Sequence, residues 1–287
     1  GLPAGCFQNL YATRDQIETI INDPRVQGVA LTGSEGAGAL VATQAGRALK
    51  KSTMELGGSD AFIVLDDADL DKAVKWAVFG RHWNGGQVCC SSKRIIVHES
   101  VHDEFIRRYT EGVAQLKAGD PMEASTTLAP LSSQQAADDV RRWIDEAVAH
   151  GATATVIGAE VPRQGAFVRP VLLTGVKPGN PVYHHEFFGP VSMIFKVKDE
   201  EEAIRLANDS PFGLGGSVFT QDIERGKRVA AQISTGMVYI NHPTAVKADL
   251  PFGGIRRSGY GRELIGLGLK EFVNHKLVGV TDIDGAF

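Results

Sequence analysis

The sequence holds only three cysteines among 287 residues, and two of them are neighbours. That excludes a disulfide framework and points to a reducing compartment, the cytoplasm, rather than a secreted protein. No apolar run is long enough to span a membrane. Neither sign of charge dominates: 30 Lys and Arg against 34 Asp and Glu leave a net charge of −4, with a pI near 6.1, which argues against a nucleic-acid partner. There is no signal peptide, internal repeat, low-complexity tract or long linker. What remains is ordinary for a globular protein, 43% hydrophobic and 22% charged, with enough chain for about two domains.

The most informative stretch is Asn84-Gly85-Gly86-Gln87-Val88-Cys89-Cys90. A thiol attacks carbonyl carbon as the thiolate, so a reactive cysteine needs partial exposure and positive potential. Two glycines permit positive φ, and such a turn aims a side chain and amide N–H groups at one point, as an oxyanion requires. A cysteine taken at random is more often a small core residue. Glu55 changes the balance. It stands in Met54-Glu55-Leu56-Gly57-Gly58, where a strand-like run ends thirty-four positions before Cys89, and a carboxylate there can serve as a general base.

A glutamate followed by Leu-Gly-Gly, with Gly-Gln-x-Cys at this separation, resembles the aldehyde dehydrogenase superfamily. Gly33-Ser34 with Gly38 resembles its cofactor-loop glycines, Glu186-Phe187-Phe188-Gly189-Pro190 its ribose-binding stretch, and Pro251-Phe252-Gly253-Gly254 with Ser258-Gly259 its C-terminal signature. Each block alone is weak or moderate; five in one order along nearly the whole chain are specific. The resemblance implies an α/β fold made of a partial Rossmann-type cofactor domain (residues 1–57), an α/β catalytic domain (58–258), and a return helix with an oligomerisation strand (259–287).

It also implies roles. Cys89 would add to an aldehyde, its backbone N–H holding the oxyanion, and Glu55 would activate the water that hydrolyses the thioester. Gly33, Ser34, Gly38, Leu56, Glu186 and Phe188 would bind NAD or NADP. Trp83, Cys90 and Phe252 would line the substrate pocket, and Asn241 would help order the cysteine loop. Relatives that pass the acyl group to coenzyme A lack the glutamate, so a free acid is the expected product. The implied assembly is a homodimer or homotetramer.

The chain departs from the family where Ser59-Asp60 follows Leu-Gly-Gly and where His82 and Ser91 flank the cysteine; His82 and Trp83 bear on the substrate mouth. Gly57-Gly58-Ser59-Asp60 and Asn241-His242-Pro243-Thr244 look most like the bacterial succinate-semialdehyde dehydrogenase branch. A carboxylate substrate, however, wants an arginine clamp, and Trp83 stands where several such enzymes carry arginine; an aromatic wall suits an aliphatic or aromatic aldehyde. The chain opens on Gly1-Leu2-Pro3-Ala4-Gly5, and the resemblance implies a preceding part with further cofactor strands, the adenosine-ribose contacts and an oxyanion-hole asparagine. A catalytically silent fragment is therefore one alternative. A cofactor-independent thiol esterase is another, and a zinc hydrolase on His98 and His102 a third.

The third starts from His98-Glu99-Ser100-Val101-His102, which matches H-E-x-x-H. Zinc requires both histidines on one continuous helix. Ser100, with Asp103 three residues on, reads as the N-cap of the next helix, so His98 ends a strand and no metal is expected. Adjacent His184 and His185 point apart in an extended segment and read as surface or packing residues.

Helices are expected over 13–23, from Ser34 with Val41, Ala45 and Leu49 on one face, and over 70–79, 101–116, 133–150, 200–208 and 223–233. Strands are expected over 26–31, 61–65, 93–97, 153–157, 168–173, 191–197, 216–219, 237–240 and 272–280.

Overall fold

The computed structural model describes residues 1–285. Helix α1 (Arg14–Asn22) starts in a capping box between Thr13 and Gln16 and ends at Asp23, before Pro24. Strand β1 (Gly28–Thr32), helix α2 (Glu35–Arg47) and strand β2 (Lys51–Glu55) follow, with β1 and β2 parallel. Ser34 caps α2, its hydroxyl accepting from the Ala37 N–H. Val41 and Ala45 face inward, but Leu49 lies past the helix end at φ 54° and is almost fully exposed. The helical spacing misplaces Leu49 because the helix stops first.

Strand β3 (Ala61–Val64), helix α3 (Leu70–His82), strand β4 (Arg94–His98) and helix α4 (Glu99–Ala114) come next. Helix α5 (Gln134–Ala149), strands β5 (Thr153–Val156), β6 (Val171–Thr174) and β7 (Val191–Val197), and helix α6 (Glu200–Asn208) follow. Pro170 lacks an amide donor, so β6 starts after it rather than at Val168. Short β8 (Phe212–Gly213), β9 (Gly216–Phe219), helix α7 (Ile223–Ala230) and β10 (Tyr239–Ile240) lead to β11 (Ile255–Arg256), β12 (Gly259–Tyr260) and helix α8 (Ile265–Glu271).

Seven strands form one sheet in the order β10-β9-β3-β4-β7-β6-β5, parallel throughout except for β5. Its central strands read as unbroken apolar runs because both faces are covered. Alternation splits β3: Phe62 and Val64 enter one core with Phe105 and Tyr109 of α4, while Ala61 and Ile63 enter the other with Val140 and Ala147 of α5. The second sheet, β1-β2-β12, places Gly259 opposite Glu55, antiparallel to β2. The return segment thus closes over the end of β2.

Two further sequence expectations fail. Helix α4 is capped by His98, not Ser100: β4 runs straight into the helix, and His98 Nδ1 accepts the Ser100 N–H at 3.2 Å. The strand expected over 272–280 does not form either; Leu277, Val278 and Val280 lie exposed without a strand partner among the described residues. A strand needs a neighbour to take its N–H and C=O groups. The end of the proposed 259–287 unit, residues 286 and 287, lies outside the described residues.

Candidate active site

Four segments enter adjacent parallel strands side by side: Ser59-Asp60 before β3, Cys89–Lys93 before β4, Glu186–Pro190 before β7, and Leu214-Gly215 before β9. They meet at the N-terminal ends of these strands, opposite the edge where open α/β sheets usually bind ligands. Glu55, at the end of β2, reaches the same region from the other sheet.

Helix α3 ends at His82, and Asn84, Gly85 and Gly86 then all take left-handed φ values of 51°, 64° and 79°. A Cβ on Gly86 would run into the Gly189 carbonyl, so only glycine lets the turn lie against the Glu186–Pro190 segment. The turn leaves Cys89 half-buried and Cys90 buried. A hydrogen bond from Cys90, then the Lys93 charge, pulls the Cys89 thiol below its ordinary range against the opposing effect of burial, while Cys90 is pushed up. Among the described residues the Cys89 N–H has no hydrogen-bond acceptor, which leaves it free for an oxyanion.

Two buried cations brace this turn, and sequence reasoning missed both. Arg81, with no exposure, donates to the carbonyls of Gly86, Phe187, Gly189 and Val191 and to the Ser91 hydroxyl, tying the turn to the loop before β7. Burial pushes its guanidinium down to about 10. Lys93 donates to the carbonyls of Val88 and Cys89 at 2.7 and 2.8 Å and pairs with Glu186 at 3.2 Å. Glu186 also accepts the Gly58 N–H at 3.0 Å. The available signal was Lys93-Arg94 standing directly before the apolar run Ile95-Ile96-Val97. Buried cations are too rare for that to be read alone.

Glu55 is buried, with Oε1 against Gly253 and Oε2 without a hydrogen-bond partner. Burial, then the charges of Glu263 and Cys89, push its carboxyl up to about 8, with Arg262 opposing. Sequence reasoning missed Glu263 and Arg262, which fall in the return segment. Asp60, a departure from the family pattern, is buried too; it accepts from the Gly215 N–H at 3.0 Å and the Thr244 hydroxyl at 2.7 Å. Burial raises it to about 6 despite Lys93.

Residues 1–278 match the model of the aldehyde dehydrogenase family. The chain belongs to the aldehyde dehydrogenase family. It is 52% identical over 278 residues to the NADP+ succinate-semialdehyde dehydrogenase of Deinococcus radiodurans, covering 97% of this chain and 58% of that relative. It is 43% identical over 280 residues to the corresponding enzyme 1 of Mycobacterium ulcerans, covering 98% and 61%. The structure of succinic semialdehyde dehydrogenase from Streptococcus pyogenes with NADP+ superposes with a TM-score of 0.93 at 50% identity, covering 96% and 60%. This chain thus spans about three fifths of the length of these relatives.

Against this family frame the remaining predicted residues separate. Trp83, stacked on Phe79 with ring centres 5.9 Å apart, and Cys90 line a cavity of about 250 Å³ together with Trp76, His242 and Thr244. Phe252 is buried against Cys90 and Leu214. His82 is buried, with Nδ1 at 3.0 Å from the Val78 carbonyl, and lines a neighbouring cavity of about 430 Å³ with Phe79, Trp83 and Asn84 rather than the one that Cys90 borders. Asn241 hydrogen-bonds not to the cysteine turn but to Thr220 at the end of β9, its amide bridging both backbone groups of that residue at 3.0 and 2.9 Å.

Near α2, a cavity of about 410 Å³ is bounded by Leu31, Ser34, Gly36 and Ala37. Gly38 instead packs inward, where a Cβ would strike buried Leu56, so this glycine serves helix-to-strand packing. Phe188 is half-exposed, its ring 5.9 Å from Lys93 Nζ. His98 Nδ1 lies 2.8 Å from the Ser100 hydroxyl and His102 Nδ1 2.8 Å from Asp103. His184 contacts Asp209 at 3.1 Å, and the His185 ring lies 4.1 Å from Trp143. No described helix is long and apolar enough to cross a membrane.

Proposed function

We propose that this protein oxidises an aldehyde to a carboxylic acid with NADP or NAD, with succinate semialdehyde as the first candidate substrate and other aliphatic or aromatic aldehydes behind it. The supporting observation is the pairing of opposed acid strengths: a Cys89 thiol held low and a Glu55 carboxyl held high, within reach of each other's charge. Environments that push two groups apart in this way separate a nucleophile from a base.

Cys89 as thiolate adds to the carbonyl carbon, and its free N–H receives the oxyanion. A nicotinamide cofactor, when bound, supplies the hydride acceptor. The residues present suit one. The α2 cavity lies at the start of a helix with open space over Gly36, which suits phosphate. Glu186, with a partly exposed carboxylate beside half-exposed Phe188, suits ribose hydroxyls. Cys89 then carries the acyl group as a thioester, and ionised Glu55 takes a proton from the water that cleaves it, releasing the acid and the thiol.

The named relatives support succinate semialdehyde, while the Trp76, Phe79 and Trp83 wall supports a longer apolar chain. Residues 1–57 are read as the cofactor-side unit, 58–258 as the catalytic unit and 259–287 as the oligomerisation segment of a cytoplasmic dimer or tetramer. The test is aldehyde-dependent NADPH or NADH formation by the purified natural protein across a substrate panel, with Cys89→Ala as control. Turnover lost by about 10⁴-fold or more in the variant supports the reading. No cofactor reduction by the wild type overturns it, and ester cleavage without cofactor would favour the thiol esterase.

A further inference from the structure

Lys93 has no solvent exposure, and the three donors of its ammonium match three acceptors: the carbonyls of Val88 and Cys89, and Glu186 Oε1. Two of these belong to the cysteine turn and the third to the loop before the neighbouring strand. Backbone packing of the turn is already secured by Arg81 and by the Gly86–Gly189 contact. A buried charge is an unfavourable means of adding one more strap, so the charge itself calls for a purpose.

We propose that Lys93 is a positioning residue for the nucleophile, holding the Cys89 turn against Glu186 and supplying the positive charge that stabilises the Cys89 thiolate. This rests on the reading of Cys89 as nucleophile. The other charges in the neighbourhood are counted with it. Asp60 and Glu55 oppose the thiolate, Cys90 donates to it, and Arg81 and Asp60 bear on Lys93 itself. Glu186 partly neutralises Lys93, so the two residues act on Cys89 with opposite sign. A purely mechanical strap would not do this.

The test is the pH dependence of Cys89 alkylation by iodoacetamide, with no aldehyde or cofactor present and with fragment-ion mass spectrometry separating Cys89 from Cys90 and Cys6. Lys93→Met is expected to raise the midpoint by about one pH unit or more, slowing alkylation about tenfold below both midpoints. Glu186→Gln is expected to lower it by leaving the ammonium unneutralised. A folded Lys93→Met with an unmoved midpoint overturns the proposal. So does a Glu186→Gln midpoint that stays or rises, and that variant decides alone if Lys93→Met does not fold. Opposite shifts in a protein that oxidises no aldehyde would leave the Lys93 assignment standing and sink the dehydrogenase reading.

Discussion

The two ends of the seven-stranded sheet are built from the same strands and handle charge in opposite ways. At the C-terminal ends of β3 and β9, Arg225 pairs with Asp66, Asp67 and Glu200, and Asp67 accepts from the Thr220 hydroxyl and the Gln221 and Asp222 amides. These groups keep some solvent contact, and the Arg225 ion pair holds the Asp66 carboxyl below its usual range. At the N-terminal ends, Arg81, Lys93, Asp60 and Glu55 are buried, and burial is the largest influence on each, acting against the charged form. One end is paired where water helps; the other keeps charges where they are unfavourable. Unfavourable charge gathered around a half-buried cysteine is the pattern of a site rather than of a stabilising network.

The contrast is sharpest at Glu55. Since a base must be ionised, the thioester-hydrolysis step should accelerate as pH rises through about 8. Glu55→Gln should lose both that dependence and about 10²- to 10⁴-fold in the step, measured by single-turnover release of the acid. A wild-type profile flat from pH 7 to 9 would remove Glu55 from the role. Next comes Arg81→Met, which strands several buried carbonyls and should lower unfolding stability by about 3 kcal/mol or more in urea titrations.

Asp60 gives a pH-dependent effect of similar or smaller size. Its folded value of about 6 lies above the ordinary 3.8, so the folded state holds a proton that the unfolded chain has released between those two pH values. Stability should therefore fall as pH rises through that window, by up to about 3 kcal/mol. Asp60→Asn should flatten that part of the pH–stability curve. The smallest change is expected at the other end of the sheet: Arg225→Met should cost about 1 kcal/mol or less. A loss as large as that of Arg81→Met would erase the distinction between the two ends.

Much of this was legible in the chain. The apolar runs marked β3, β4, β7 and β9, and helical spacing put helices over 13–23, 133–150 and 200–208, where the structure has helices capped by Thr13, Ser133 and Asp199. The left-handed turn at Gly85-Gly86 followed from what glycine alone tolerates. The boundary errors have local causes: His98 replaced Ser100 as a cap because an imidazole nitrogen can accept as a hydroxyl does, and Pro170 delayed β6. The pairings β8–β11 and β12–β2 were not legible, since the two-residue strands β8, β11 and β12 carry no period. Nor were Lys93, Arg81 and Asp60, because a charged letter reads as surface until the fold buries it.

By itself the sequence determined the elements, the glycine turn and the identity of the groups able to react, because these depend on local sterics and side-chain chemistry. Only the tertiary structure decided that β2 and the starts of four parallel strands converge, that Glu55 loses water beside Cys89, that Asn241 turns to Thr220, and that Lys93 joins Glu186 to the cysteine turn. Those outcomes depend on which distant segments share a low-dielectric space, and residues more than a hundred positions apart in sequence, such as Arg81 and Gly189 or Asp60 and Gly215, meet only once the sheet has formed.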